Sequence, residues 1–193
     1  MKFLSAIAVG TYVVLALTGP SSAATLAPVG FEQLVAESAV IVRAEVLNVH
    51  SQWRDADEGS PIVTRVVLRV LQALKGAPGP QLELELLGGT VGDRTLTISD
   101  MPTFVVGEQA FLFLAPGRSI SPLVGFSAGR WPIRRDAFTG REYVTTPSGT
   151  PLSNPSDVGR RSTSLSGLRP RGAVALSPDE TAVAIRRQVS ASR

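Results

Sequence analysis

Two runs decide how this sequence folds: Val40-Ile41-Val42-Arg43-Ala44-Glu45-Val46-Leu47-Asn48-Val49, and Ile62-Val63-Thr64-Arg65-Val66-Val67-Leu68-Arg69-Val70-Leu71-Gln72-Ala73-Leu74, the second closed by Lys75-Gly76. In the second run Ile62, Thr64, Val66, Leu68, Val70 and Leu74 fall on one face, and Val63, Arg65, Val67 and Arg69 on the other. That is the period of two of a strand with one buried face. Burying five such aliphatic side chains, at about 1.5–3 kcal/mol each, supplies a large share of a small domain's driving force before chain entropy is subtracted. The first run starts fully apolar and then alternates, the pattern of a strand leaving a barrel interior. Both runs are long enough to bend around a closed sheet.

Ahead of these strands, Lys2 is followed by an apolar run to Leu17, then Gly19-Pro20 and Ser21-Ser22-Ala23-Ala24. The apolar run is shorter than the ~20 residues that span a bilayer, and small residues follow it where a signal peptidase cuts. Residues 1–23 therefore read as a secretory signal peptide, and the protein as exported, either periplasmic or extracellular. With no cysteine in the chain, disulfides, thiolate metal sites and a lipoprotein anchor are excluded. Cleavage leaves about 170 residues, one domain with appendages. Residues 24–146 hold 11 basic and 13 acidic side chains, whereas residues 147–193 hold seven arginines against Asp157, Asp179 and Glu180. A mildly acidic body thus carries a basic tail.

Between the ends, Phe31, Leu34 and Val35 share one side of a short helix over 31–37. A polar loop over 50–61 separates the two long strands. Gln81-Leu82-Glu83-Leu84-Glu85-Leu86 alternates cleanly, with leucines inward and glutamates outward. Gly88-Gly89 breaks that strand, and a shorter one follows over 95–98. Ala110-Phe111-Leu112-Phe113-Leu114 is a continuous apolar run, expected to be a strand buried on both faces. Short strands are expected over 123–126, 130–134 and 141–145. Residues 147–176 turn to Ser, Gly, Pro and Arg, the composition of a flexible linker. Ser177-Pro178-Asp179-Glu180 forms a capping-box signature ahead of a C-terminal helix within 177–193, which either docks on the barrel or stands free.

This order of features resembles the netrin-type module, the OB-like barrel of the tissue inhibitors of metalloproteinases. The match runs over residues 31–144 and includes the Lys75-Gly76 and Gly107-Glu108 turns. Closer still are uncharacterised exported bacterial proteins with this strand pattern. The resemblance implies a mainly all-β fold, an OB-like closed or partly open antiparallel barrel over 24–146, used for binding, with protease inhibition as one version. The inhibitors chelate the protease zinc through an N-terminal cysteine. This chain has none, so no inhibitory residue carries over.

Gly125-Phe126-Ser127-Ala128-Gly129 fits the G-x-S-x-G pattern of a nucleophile elbow, but the one histidine, His50, precedes the serine in the chain, and the surroundings read as β. A hydrolase acting through Ser127 is therefore a third choice. The reading is of a protein that is not an enzyme, with no cofactor and no metal site, since His50 beside Asp55, Asp57 and Glu58 fits no ligand spacing. Binding is assigned to the loop residues Trp53, Arg54, Asp55, Asp57 and Glu58, and to Trp131 among its arginines. The leading expectation is an exported binding module that captures a protein partner, with a secreted protease as one candidate. The alternative is an envelope-associated structural protein held to an anionic surface through Arg160, Arg161, Arg169 and Arg171. Nucleic acid is not expected, because the barrel is acidic and aromatic and basic residues do not alternate along a strand.

Overall fold

The computed structural model describes residues 29–55, 59–117, 121–159 and 174–192. The signal-like segment 1–23, Asp57, Glu58 and the four tail arginines 160, 161, 169 and 171 lie outside them. The protein is mainly β. Helix α1 (Phe31–Glu37) leads into β1 (Val40–Trp53), β2 (Ile62–Lys75), β3 (Gln81–Leu87), the short strands β4 (Gly89–Val91) and β5 (Arg94–Leu96), then β6 (Gln109–Leu114), β7 (Arg130–Arg135), β8 (Glu142–Val144) and helix α2 (Pro178–Ala191). Six strands form one antiparallel sheet in the order β3-β2-β1-β6-β7-β8, and β4 and β5 pair separately as a hairpin.

The sheet is not closed into a barrel, which corrects the closed form expected above. The reason lies at β8. The chain turns back after Val144, so that Leu152 N–H donates to the Val144 carbonyl (2.8 Å) and Val144 N–H donates to the Leu176 carbonyl (2.9 Å). These local partners occupy the edge that a barrel would have to offer to β3. They also draw part of the supposed linker into the structure: Leu152, Pro155 and Val158 are buried, and Leu176 N–H donates to the Leu152 carbonyl (2.7 Å). Composition understates this segment because its few apolar residues are spaced to reach the same core.

Strand β1 changes phase midway. The register with β2 runs Val46↔Leu68 and then Asn48↔Val67, so Leu47 is an extra residue in the ladder. Such a bulge leaves one residue unpaired and bends the strand. Before it Val42, Ala44 and Val46 face one core; after it Val49, Ser51 and Trp53 fall on that same face, opposite Val66, Thr64 and Ile62. The loop expected over 50–61 is shortened accordingly. Strand pairing continues to Trp53↔Ile62, and Arg54 N–H closes the turn on the Pro61 carbonyl (2.9 Å).

Two cores result, one on each side of the sheet. On the first, α1 and α2 cover Ile41, Phe111, Phe113, Trp131, Ile133 and Val144. Helix α1 is pinned by Lys75, whose Nζ donates to the Val35 carbonyl (2.7 Å) at the helix C-terminus, where a cation is favoured. Helix α2 is docked, with Ile185 fully buried, and its capping box is formed: Ser177 Oγ accepts from Glu180 N–H while the Glu180 carboxylate accepts from Ser177 N–H. On the second side Val42, Ala44, Val46, Val66, Leu68, Leu84, Leu86, Ala110 and Leu112 meet Phe104 and Leu123. Strand β6 serves both cores, Phe111 and Phe113 pointing to one and Ala110, Leu112 and Leu114 to the other. This is what its unbroken apolar run requires. Residues 123–126, expected as a strand, contribute only a single bridge, Leu114↔Leu123, before a 3-10 turn at Phe126–Gly129.

Candidate functional site

The second face is not fully covered. After β3 the chain crosses back over the sheet as the β4–β5 hairpin, and between this hairpin and the sheet lies a cleft of about 390 Å³. The crossing depends on Gly89. Its φ is 137°, and a Cβ there would stand 2.4 Å from Ser51 Oγ and 2.5 Å from Thr64 Oγ1, so only glycine lets the backbone lie on these hydroxyls. The hydroxyls are themselves tied down, Ser51 Oγ to Thr64 Oγ1 (2.9 Å) and Thr64 Oγ1 donating to the Gly88 carbonyl (2.7 Å).

Hydrocarbon from Val49, Leu86, Leu96, Ile98, Met101 and Phe104 alternates around the cleft with hydroxyls from Ser51, Thr64, Thr90, Thr95, Thr97 and Thr103, and none of the lining side chains is ionisable. Phe104 is held from behind by Arg130, whose guanidinium carbon lies 5.1 Å from the ring centroid, a cation–π distance. Arg130 and Arg134 both donate to the Glu108 carboxylate, Arg134 Nη1 at 2.6 Å. Burial lowers the Arg130 pKa, and the Glu108 charge opposes that shift. The guanidinium stays protonated, as arginine does throughout proteins. The Gly107-Glu108 turn is thus the anchor that sets the back wall of the cleft, as Lys75 is the anchor of α1.

The candidate residues separate. Trp53, half-buried, falls on the cleft face two positions beyond Ser51. Arg54 points to the opposite face, where its Nε pairs with Glu85 Oε1 (3.2 Å). Asp55 is exposed at the hairpin tip, and its N–H donates to Ser60 Oγ (3.3 Å). Trp131 is no surface anchor, which corrects its assignment to binding. It has no exposed area, its ring centroid lies 4.8 Å from that of Phe113 and 5.6 Å from that of Phe31, and its Nε1 donates to the Ala128 carbonyl (3.0 Å). Arg130 and Arg134 point the other way, to the Glu108 carboxylate, because side chains alternate along a strand.

Ser127 lies in the 3-10 turn Phe126–Gly129, at the start of an antiparallel strand, with its N–H donating to the Asp100 carbonyl (3.0 Å). The glycine after it meets a packing demand, since a Cβ on Gly129 would stand 2.5 Å from the Val124 carbonyl oxygen. His50 belongs to β1, opposite Arg65. Among the described residues no three His, Asp or Glu side chains gather as a metal site would need, and no helix is long and apolar enough to cross a membrane.

Sequence reasoning passed over the cleft because it read Gly88-Gly89 only as a strand end. The missed signal is Thr90-Val91-Gly92-Asp93-Arg94-Thr95, in which a Gly-Asp pair between short β-prone runs marks a two-residue hairpin. Compared with protein-family models, curated proteins and solved structures, the chain matches none.

Proposed function

We propose that this protein is an exported, non-enzymatic binding module that captures a protein partner at the end of the sheet where the β1–β2 hairpin meets the cleft. The cleft carries the reading. Its volume lies within the range of ligand sites, and its mixture of hydrocarbon and hydroxyl suits an uncharged group that is held without reacting. Trp53 on the same face adds an aromatic anchor beside it. The exported location rests on residues 1–23, and the netrin-type resemblance makes a secreted protease one candidate partner.

The test is affinity capture with residues 24–193 from the envelope and culture-fluid fractions of the producing organism, in parallel with Trp53→Ala and with Thr103→Trp, which fills the mouth of the cleft from an exposed position. A specific protein retained by the unsubstituted chain and lost with both variants supports the reading. Recovery of lipid or polysaccharide alone, equally with all three, would overturn it and move attention to the arginine-rich tail.

A further inference from the structure

Strand β3 ends the sheet, and among the described residues it pairs only with β2. Which of its main-chain groups remain open follows from the ladder. Gly88 N–H donates to the Ile62 carbonyl (2.8 Å) and Val70 N–H to the Pro80 carbonyl (2.9 Å). In an antiparallel pair every second residue exchanges these bonds, so Leu82, Leu84 and Leu86 turn their N–H and C=O toward β2. Gln81, Glu83, Glu85 and Leu87 therefore direct theirs outward, away from the sheet. The same strand runs straight into the cleft, which Leu86, Leu87 and Gly88 line.

We infer that the partner is held as an added strand: an extended segment of another protein pairs with the outward groups of Glu83 and Glu85 and sets an apolar side chain into the cleft. This rests on the binding function proposed above and names its mode, in which main-chain bonds supply affinity and a pocket beside the edge supplies selectivity. Charge decides against a second copy of this chain as occupant. In the fully overlapping antiparallel register of two β3 edges, Glu83 of each copy faces Glu85 of the other, and like charges directly opposed destabilise a pair. The complementary strand carries cations there. Each glutamate already meets Arg65, at 2.9 Å from Glu83 Oε1 and 3.5 Å from Glu85 Oε2. Glu85 Oε1 also meets Arg54 Nε at 3.2 Å, so the cation of the added strand is placed opposite Glu83. Glu83 Oε2 remains open among the described residues, and a carboxylate accepts several donors. Side chains alternate along the added strand, so its cations lie on the glutamate face and its apolar residues beside Leu82, Leu84, Leu86 and the cleft.

The probe is a blocked heptapeptide, Lys-Leu-Lys-Leu-Lys-Leu-Lys, with two controls: one N-methylated at alternate residues and one with glutamate in place of lysine. Binding to the 24–193 chain is followed by calorimetry and by amide hydrogen exchange. Glu83 and Glu85 N–H should gain protection, while Leu82 and Leu84 N–H, already bonded to β2, should change little. Glu83→Pro leaves the β2 ladder whole and removes the outward donor together with the carboxylate that pairs with Arg65, so Glu83→Gln, which removes the charge alone, is its reference. It should weaken the peptide about tenfold, the cost of losing one or two main-chain bonds. Glu83→Gln, which keeps the donor, should weaken it less, and both controls should fail to bind. Equal affinity for unsubstituted chain and Glu83→Pro, or no protection at Glu83 and Glu85, overturns the edge proposal. The capture experiment separates the two claims. A partner kept by Glu83→Pro and lost with Thr103→Trp leaves the cleft as the binding site and discards the added strand. A partner kept by both variants discards the cleft as the binding site as well.

Discussion

The two faces of the sheet are built from the same strands and covered by different means. The first is sealed by α1 and α2, whose apolar stripes interlock with Phe111, Phe113 and Trp131. The second is covered by a short threonine-bearing hairpin and by the single aromatic ring of Phe104, and it keeps a cleft. A helix offers side chains about as deep as the gap it must fill, whereas a two-stranded hairpin lying on a sheet brings backbone and short hydroxyls. Close packing on one face and an opening on the other thus follow from what covers each.

Substitutions test this contrast. The largest effect is expected at Trp131→Ala, which empties the centre of the sealed face and should cost about 3–5 kcal/mol in denaturant unfolding, with the cleft untouched. A cost below about 1 kcal/mol would mean that the helices are loosely placed. Next comes Glu108→Ala. It leaves Arg130 buried without its carboxylate and should cost about 3 kcal/mol, and because Arg130 braces Phe104 it should also weaken capture of the partner. Gly89→Ala should cost about 1–3 kcal/mol through its positive φ and the contact with Ser51 and Thr64. Hydrogen exchange should report the opening at β4 and β5, not in the helices.

Smaller still is Ser177→Ala, about 1 kcal/mol from the lost cap of α2. The same cap should carry a pH signature. Ser177 N–H and Oγ bond the Glu180 carboxylate and hold its pKa below the ordinary carboxylate range. Asp136, bonded by the N–H and hydroxyl of Thr139 and by Phe138 N–H, is lowered in the same way. A depressed folded pKa means that the unfolded chain takes up the proton first. The stabilisation is complete above the unfolded values, about 3.9 for the aspartate and about 4.3 for the glutamate, and is lost as pH falls through the lower folded values. Glu180→Gln should flatten that part of the stability profile. The smallest effect belongs to Thr103→Trp, within about 0.5 kcal/mol because the position is exposed, while capture of the partner is lost.

Much of the fold was legible without coordinates because it is carried by local period. The alternation in β3, the unbroken apolar run of β6 and the capping box of α2 each depend on residues two to four positions apart, and each appears as read. In β2 the alternation holds from Thr64 to Leu68, but register slips at Leu71 and Leu74 carry Leu74 to the opposite core, and Val63, read as outward, is buried. The candidate site was legible only at its margin, through Trp53. Its floor and roof come from segments far apart in the chain, Val49 and Ser51 of β1 against Thr90 and Leu96 of the hairpin and Phe104 beyond it, and no window of sequence holds them together. Trp131 failed as a surface residue for the related reason that a ring beside arginines is buried or exposed according to which neighbour covers its face. What the sequence by itself determined is the long strands, both helices and the apolar side of β3, β6 and α1, since side-chain spacing expresses backbone periodicity directly. Only the tertiary structure decided that the sheet stays open, that Leu47 shifts the phase of β1, that residues 147–159 join the core and that one face keeps a cleft. These outcomes depend on which distant segments satisfy each edge and cover each face.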